Sequence, residues 1–379
     1  MQNKVCFLDV SRTISRLHLP TPTGIDRVEQ AYIAHFSSNY PSSFAVARLG
    51  QEYLFTDLKA FSALTFRDQD KLGFLGRDGF RFRLSPAQRR TKAVIRKRFD
   101  WISERAFCTK ITEHAGDGAV YLNVGHSRAL LPLWQRFRDV PLMLIAMVHD
   151  VIPLSHPHFV RPRSIDNFKK FLEGLRNFTR VICVSKTTQE ALSSEGTFPN
   201  MSVAPLGISF SNQRAASASA SRESFFLAVG TLEPRKNYSL LFDILENGDM
   251  PGPLVIVGQR GWESDAFFKR LEGLVARGLV DWRTDATDDE LQTLYERCAA
   301  VLFPSFVEGF GLPAYEAVAT EAPLIASDIP VFREAFGRSV PLLDPTNVST
   351  WSAALKTTER FRSRVSVPTW DNHFQEAGF

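Results

Sequence analysis

Short apolar runs alternate along the chain with segments whose hydrophobic positions recur every three or four residues. "KVCFLDV" reads as a strand, and in "TGIDRVEQAYIAHF" after it Ile25, Val28, Tyr32 and Phe36 share one helical face. Thr23 and Asp26 form a candidate N-cap pair. "AVYLNV" and "LMLIAMV" are further strands. Ile165 to Phe178 is helical, with Ile165, Phe168, Leu172, Leu175 and Phe178 apolar, and the strand "RVICVS" follows at once. The texture then changes. Ser209 to Ser224 is small, polar and repetitive, which reads as a linker, or else as a long surface loop. Beyond it the alternation restarts with "FFLAV", "PLVIV", "AAVLF" and "PLIA". In "DDELQTLYERCA", Leu291, Leu294, Tyr295 and Cys298 share a face, and Thr287 with Glu290 is a capping-box pattern. The pattern predicts two α/β domains in tandem, each forming a doubly wound parallel sheet. Ligands of such sheets sit at the carboxyl ends of the strands, and a cleft between two of them is the expected site.

A chain of 379 residues, 44% hydrophobic, suits two domains rather than one. No signal peptide is expected in "MQNKVCFLDVSRTIS". The longest apolar run, Val140 to Val148, is too short to span a bilayer. Cys6, Cys108, Cys183 and Cys298 are scattered without a CxxC, which argues against a disulfide framework or a cysteine zinc site. A cytoplasmic location is expected. A net charge of +4 suits a phosphate-bearing or anionic partner without demanding one.

That charge is uneven. Arg77 to Lys110 holds eleven Lys or Arg against three Asp or Glu, interleaved with Phe80, Phe82, Phe99, Trp101 and Phe107. It reads either as a solvated, partly helical insertion or as a basic surface for anionic lipid or a pyrophosphate-linked acceptor. Nucleic acid is not expected, because no binding motif accompanies the charge.

Several chemistries lack their motifs. The first strand is not followed by GxGxxG, and the chain has no Walker A lysine motif and no GxSxG elbow. Asp68-Gln69-Asp70 is formally a DxD, but no apolar strand precedes it, so it reads as surface charge. His149, His156 and His158 lack helical zinc-ligand spacing. No metal site is expected.

Two stretches carry positive signals. In "FLAVGTLEPRKN" a strand ends at Gly230, and Thr231, Glu233, Arg235 and Lys236 follow. Alone this is an exposed basic turn, but Arg supplies a planar fork and Lys a compact charge, and both suit a diphosphate. "AAVLFPSFVEGFGLPAYEAVA" reads as strand, loop, helix. Pro313 fits the first helical turn. Gly309 and Gly311 permit close backbone approach, and the helix start favours anions or hydroxyl oxygens. Glu308 falls in the loop and Glu316 about one turn into the helix, and as acceptor-only groups both suit sugar hydroxyls.

With "PLIASDIPVFREAFG" following, these stretches resemble the retaining glycosyltransferases of the GT-B fold, specifically glycosyltransferase family 4, whose E-x7-E motif Glu308 and Glu316 fit. More weakly, "TGIDRVE" resembles the family's glycine loop and first helix, and "HDVIP" its acceptor-side histidine segment. "SVPTWDNHFQEAGF" is similar to a terminal helix crossing back to the first domain. The resemblance implies an acceptor-binding domain at 1–208, a linker at 209–224, a nucleotide-sugar domain at 225–365 and the crossing helix at 366–379. It implies that Arg235 and Lys236 hold the donor diphosphate beside Gly230 and Thr231 and stabilise the leaving group. Glu316 would hold the ribose. Glu308 and the backbone of Gly309, Phe310, Gly311 and Leu312 would hold the sugar. Gly24, His149 and Asp150 fall on the acceptor side, and His149 contacts donor sugar or acceptor. Catalysis would rest on His149, Glu308, Arg235 and Lys236 without metal or other cofactor, with retention by front-face displacement. Two positions depart from the family pattern: Thr231 stands where many members have Arg, and Glu321 where a helix-ending glycine is common.

"HDVIP" with "GTLEPRKN" resembles mannosyl- or rhamnosyltransferases most, so the expected partners are a nucleotide sugar, with GDP-mannose favoured, and a saccharide or polyprenyl-pyrophosphate-linked acceptor in surface polysaccharide, exopolysaccharide or O-antigen assembly. Peripheral contact with an anionic membrane is a further expectation. The competing readings are a sugar-nucleotide epimerase or hydrolase on the same fold, and a non-catalytic sugar-nucleotide-binding protein.

Overall fold

The structure is a computed structural model and describes residues 4–19, 22–63, 86–210, 222–357 and 365–379. Two sheets organise it. The first contains β1 (Val5–Asp9), β2 (Ser43–Leu49), β3 (Glu52–Asp57), β4 (Trp101–Ile102), β5 (Ala119–Asn123), β6 (Leu142–Val148), β7 (Arg180–Cys183) and β8 (Met201–Val203). Their order is β4-β3-β2-β1-β5-β6-β7-β8. From β2 to β8 every pairing is parallel, but β3 is antiparallel to both β2 and β4. The wholly parallel sheet expected for this domain is corrected at that edge. β2 and β3 are joined only by Gly50 and Gln51, with Gly50 at φ 71. A two-residue link makes a hairpin and cannot make the crossover that parallel pairing requires.

The second sheet contains β9 (Phe226–Val229), β10 (Leu254–Val257), β11 (Val280–Arg283), β12 (Ala300–Phe303), β13 (Leu324–Ser327) and β14 (Leu342–Leu343). It is parallel throughout, in the order β11-β10-β9-β12-β13-β14. The strand order reverses between β9 and β12, so the loops after these two strands flank a topological switch point, where such sheets bind ligands. The fold is GT-B: two Rossmann-like α/β domains facing across a cleft.

Local sequence chemistry explains several element ends. Thr23 and Asp26 form a capping box on the helix Gly24–Asn39, and Thr287 and Glu290 form one on Asp288–Arg297. The helix expected from Ile165 begins earlier, at Pro162, whose missing N–H is no loss in a first turn. The closing helix Trp370–Glu376 lies on the first domain. There His373 donates from Nδ1 to the Pro205 carbonyl at 2.9 Å and accepts from the Tyr32 hydroxyl at Nε2, also at 2.9 Å. The expected linker falls largely on residues 211–221, outside the described residues. Just after it, Arg222 donates to the carbonyls of Tyr295, Glu296, Cys298 and Glu321 and fixes the chain to the second domain.

Candidate functional site

The loops after β9 and β12 are tied to each other before any ligand is considered. Asn237, at φ 54, donates from Nδ2 to the carbonyls of Pro304 at 3.1 Å and Pro345 at 2.8 Å. The Phe306 N–H donates to the Arg235 carbonyl at 2.8 Å. These bonds bring Arg235 and Lys236, on the short turn Pro234–Lys236, against Glu308. Arg235 Nη1 lies 2.7 Å from Glu308 Oε2, and Lys236 Nζ lies 2.6 Å from Oε1. The Ser305 hydroxyl also donates to Oε1, at 2.9 Å. Burial opposes ionisation of Glu308, but Arg235 and Lys236 outweigh it and hold its carboxyl down at about 2. Burial lowers the Lys236 pKa, against the pull of Glu308. Arg235 also pairs through Nε with Glu233 at 2.9 Å, and burial raises the Glu233 pKa. The Lys236 amine sits 4.6 Å from the centre of the Phe303 ring, a cation–π contact.

Glu316 has other surroundings. It projects from the helix Leu312–Ala319, entered through Gly311 at φ 85. A Cβ on Gly311 would lie 2.5 Å from the Phe332 ring, so glycine is required for both conformation and space. Glu316 accepts from the Tyr295 hydroxyl at 2.8 Å. Burial raises its pKa, opposed by Arg27 and by the Tyr295 hydroxyl, with Asp288 adding to the rise and Lys236 opposing it.

The first domain closes over these loops. Gly309 presses on His149: a Cβ there would lie 1.8 Å from the His149 carbonyl oxygen and 2.8 Å from Asp150 Cβ. The Gly309 carbonyl accepts from Ser185 Oγ at 2.8 Å and Thr188 Oγ1 at 3.1 Å. Nearby, Glu334 accepts from the backbone N–H groups of Lys186 and Thr187, each at 2.8 Å, and so caps the start of a helix in the opposite domain. Gly24 abuts Leu312, whose Cδ1 is 3.2 Å from where a Cβ would stand. On the remaining side Phe159 stacks on Phe306 with centroids 5.3 Å apart, and Trp262 donates from Nε1 to the Phe159 carbonyl at 3.0 Å.

His149 is fixed in one tautomer. Its Nε2–H donates to the Val124 carbonyl at 2.7 Å, and its backbone N–H donates to His126 Nε2 at 3.0 Å. Burial pushes the imidazole down to about 4, so the ring is neutral at pH 7 with Nδ1 unprotonated. Burial also raises the Asp150 carboxyl, against the field of Arg235.

The expected residues therefore converge in two groups. Arg235, Lys236 and Glu308 form one ion-paired network, with Gly309, His149 and Asp150 against it and Gly230 and Thr231 at the strand end. Phe310 turns its ring inward, stacked on Tyr315 at 4.5 Å, which leaves its backbone for the loop. Glu316 stands apart, hydrogen-bonded to Tyr295. Glu233, Ser305, Tyr295, Arg27, Ser185, Thr188 and Glu334 were not singled out from sequence. Only Glu233, two residues before Arg235, and Tyr295, a hydroxyl on an apolar helix face, left a local signal. Asp68-Gln69-Asp70 lies outside the described residues. Among the described residues no group of three or more His, Cys, Asp or Glu could hold a metal ion, and no helix is long and apolar enough to cross a membrane. The basic segment is described from residue 86. Its Phe107 is core, stacked on Tyr53 at 5.0 Å, and Phe99 packs near Phe61, so these aromatics face inward rather than outward.

Residues 209–361 match the family described as Glycosyl transferases group 1. The C-terminal domain belongs to the group 1 glycosyl transferases. This glycosyl transferase domain contains Arg235, Lys236, Glu308 and Glu316. The chain is similar to the O-antigen chain mannosyltransferase RfbU of Salmonella typhimurium, 26% identical over 239 residues that cover 61% of this chain and 67% of the relative. It is 33% identical to O-antigen chain mannosyltransferase B of Escherichia coli over 135 residues, which is 35% of each chain; against that relative it spans about a third of the length. Among solved structures, Alr3699/HepE from Anabaena in complex with UDP and glucose superimposes with a TM-score of 0.61. It is 16% identical, with 99% of this chain and 95% of the other covered, a likeness of fold.

Proposed function

We propose that the chain is a retaining glycosyltransferase that moves mannose from GDP-mannose to a saccharide or polyprenyl-pyrophosphate-linked acceptor in surface polysaccharide assembly. The observation that carries this is the buried Arg235–Lys236–Glu308 network at the switch point of a group 1 glycosyl transferase domain, with the His149–Asp150 backbone of the other domain packed on Gly309 beside it. The similarity to RfbU and mannosyltransferase B, both O-antigen chain mannosyltransferases, supports the choice of mannose. UDP and glucose in the HepE complex support a nucleotide sugar as the ligand class for this fold.

In this reading Arg235 and Lys236 bind the donor diphosphate and neutralise the charge that grows on the leaving phosphate as the anomeric C–O bond breaks. That role falls to side chains, with no metal required. The acceptor hydroxyl attacks from the same face and its proton passes to the departing phosphate oxygen. A carboxylate has about four lone-pair sites, and Arg235, Lys236 and Ser305 fill three on Glu308. The fourth is left for a sugar hydroxyl. Glu316 takes the ribose hydroxyls. His149 presents an unprotonated Nδ1 as an acceptor to donor sugar or acceptor. The location proposed is cytoplasmic. Peripheral contact with an anionic membrane would rest on the charge of the basic segment alone, since its described aromatics face inward.

A thermal-shift panel of nucleoside diphosphates and their sugars, followed by turnover with and without a saccharide acceptor, tests the proposal. Stabilisation by GDP and GDP-mannose and acceptor-dependent GDP release are expected. Turnover without acceptor that leaves a free or epimerised sugar overturns it in favour of a hydrolase or epimerase.

A further inference from the structure

Arg27 belongs to the first domain, on the helix Gly24–Asn39, yet its charged end works in the second. Its Nη1 donates to Asp288 Oδ2 at 3.3 Å and its Nη2 donates to Oδ1. Asp288 is the first residue of the helix that also contributes Tyr295, the hydroxyl on Glu316. The Arg27 side chain is 21% exposed although Asp288 is 63% exposed, so the cation is tucked inward rather than lying on the surface with its partner. Phe210 lies under the guanidinium, 6.0 Å from its ring centre. The charges acting on Glu316 are thus Arg27 from across the cleft, Asp288 and Tyr295 from one helix, and Lys236 from the turn after β9.

Resting on the reading of Glu316 as the ribose grip, we propose that Arg27 is the positioning residue for that grip: anchored on Asp288, it keeps Glu316 in its hydroxyl-accepting form, and only while the two domains are closed. An ionised carboxylate can accept from two ribose hydroxyls at once, whereas a protonated one must spend an oxygen as a donor. Burial alone drives Glu316 toward the protonated form, and Arg27 leads the forces opposing it. Because Arg27 comes from the other domain, opening the cleft withdraws the charge and weakens the grip. Ribose binding and domain closure then favour each other, as linkage requires.

Calorimetric binding of GDP and UDP and of their 2′,3′-dideoxy forms, at pH 6 and pH 8.5, tests this on full-length wild type, Arg27→Lys, Arg27→Gln, Arg27→Met and Glu316→Gln. The readout is the ratio of affinities with and without the hydroxyls. Ionisation of the phosphates affects both forms alike and cancels in that ratio. Wild type and Arg27→Lys should prefer the hydroxyl-bearing nucleotide by roughly tenfold at both pH values, the worth of about one charged hydrogen bond. The two neutral variants should lose more of that preference at pH 6 than at pH 8.5, because rising pH favours the ionised carboxyl that Arg27 otherwise supports. A wild-type ratio at pH 6 in both neutral variants, or an equal loss of affinity for both forms of nucleotide at both pH values, overturns the role given to Arg27. If Glu316→Gln keeps the full preference, Glu316 does not hold the ribose, and the reading beneath this inference fails with it. If Glu316→Gln loses the preference while both neutral Arg27 variants keep it, the inference about Arg27 fails alone.

Discussion

Glu308 and Glu316 are the same residue, eight positions apart, and both are buried, yet the protein pushes their carboxyls in opposite directions. Glu308 has two cations within 2.7 Å and a hydroxyl at 2.9 Å. Glu316 has one tyrosine hydroxyl and cations that stop short of a direct ion pair. Burial raises both; only Glu308 has enough opposing charge to finish low. Position in a motif does not set the charge of a carboxyl, and the neighbours delivered by other loops do. The largest test is therefore Glu308→Gln, which leaves Arg235 and Lys236 facing a neutral amide. Unpairing a buried charge network typically costs about 3–5 kcal/mol. The drop in the Glu308 carboxyl from 4.5 to about 2 is alone worth about 3 kcal/mol. The sign follows from linkage: a depressed carboxyl stabilises fully above pH 4.5 and loses its contribution as pH falls through about 2. Urea unfolding should show Glu308→Gln well below wild type at pH 7, with the gap narrowing below pH 4.5. A gap that stays constant with pH would mean the network is not what stabilises this loop.

The same network makes Glu308 a competitor of any diphosphate for Arg235 and Lys236. Lys236→Ala should weaken GDP binding by about 1.5–3 kcal/mol, the value of a charge-assisted hydrogen bond, and cripple turnover. Glu308→Gln should lower turnover while leaving GDP affinity equal to or above wild type, because it frees both cations. Calorimetry and steady-state rates on the two variants check this. Parallel losses of GDP binding in both would contradict the division of labour.

Much of this was legible in the chain, and the part that was not has a common cause. Every apolar run named from the pattern is a strand, and both Thr-x-x-acid pairs are capping boxes, because these signals are local. The hairpin of β2 and β3 was missed, although Gly50-Gln51 between two apolar runs carried its signature. That Arg235, Lys236 and Glu308 form one network rather than three separate grips was beyond a linear reading, since Glu308 lies 72 residues from Lys236. Arg27 and Asp288 are 261 residues apart and meet only through the packing of two domains. Neither pairing leaves a periodicity or spacing to find. The glycines were read as openings for a ligand. Gly309 instead admits the His149 backbone of the opposite domain, so its small size serves domain contact in this arrangement.

Glu316→Gln sharpens the comparison from the other side, with a smaller effect. A raised carboxyl contributes stability that is complete below its unfolded value and fades as pH rises through its folded value. Ionised Glu316 is therefore a cost near neutral pH, and glutamine removes it while still accepting from the Tyr295 hydroxyl. The variant should be more stable than wild type at pH 8 in urea unfolding, with the advantage shrinking as pH falls toward 4.5. This trend is opposite in sign to that of Glu308→Gln. If both variants lose stability at neutral pH, the two glutamates do not differ in the way their surroundings imply.

The smallest effect lies at the far end of the Glu316 helix. At its start Gly311 takes a left-handed conformation at φ 85, and just past its end Glu321 is left-handed too, at φ 56. A side chain in that region costs about 1–2 kcal/mol relative to glycine, whose mirror-symmetric backbone takes either hand. Here the strain is partly met by Arg222, which donates to the Glu321 carbonyl at 2.7 Å, a contact that needs no particular side chain at 321. Glu321→Gly keeps that hydrogen bond and relieves the strain, but frees the unfolded chain by up to roughly 1 kcal/mol. The net gain should be about 0.5 kcal/mol, read as a small rise in urea midpoint with unchanged GDP affinity and turnover. A loss of stability would mean that the glutamate side chain makes a contribution at this turn that outweighs its backbone strain. A change in GDP affinity would mean that this end of the helix also controls the position of Glu316.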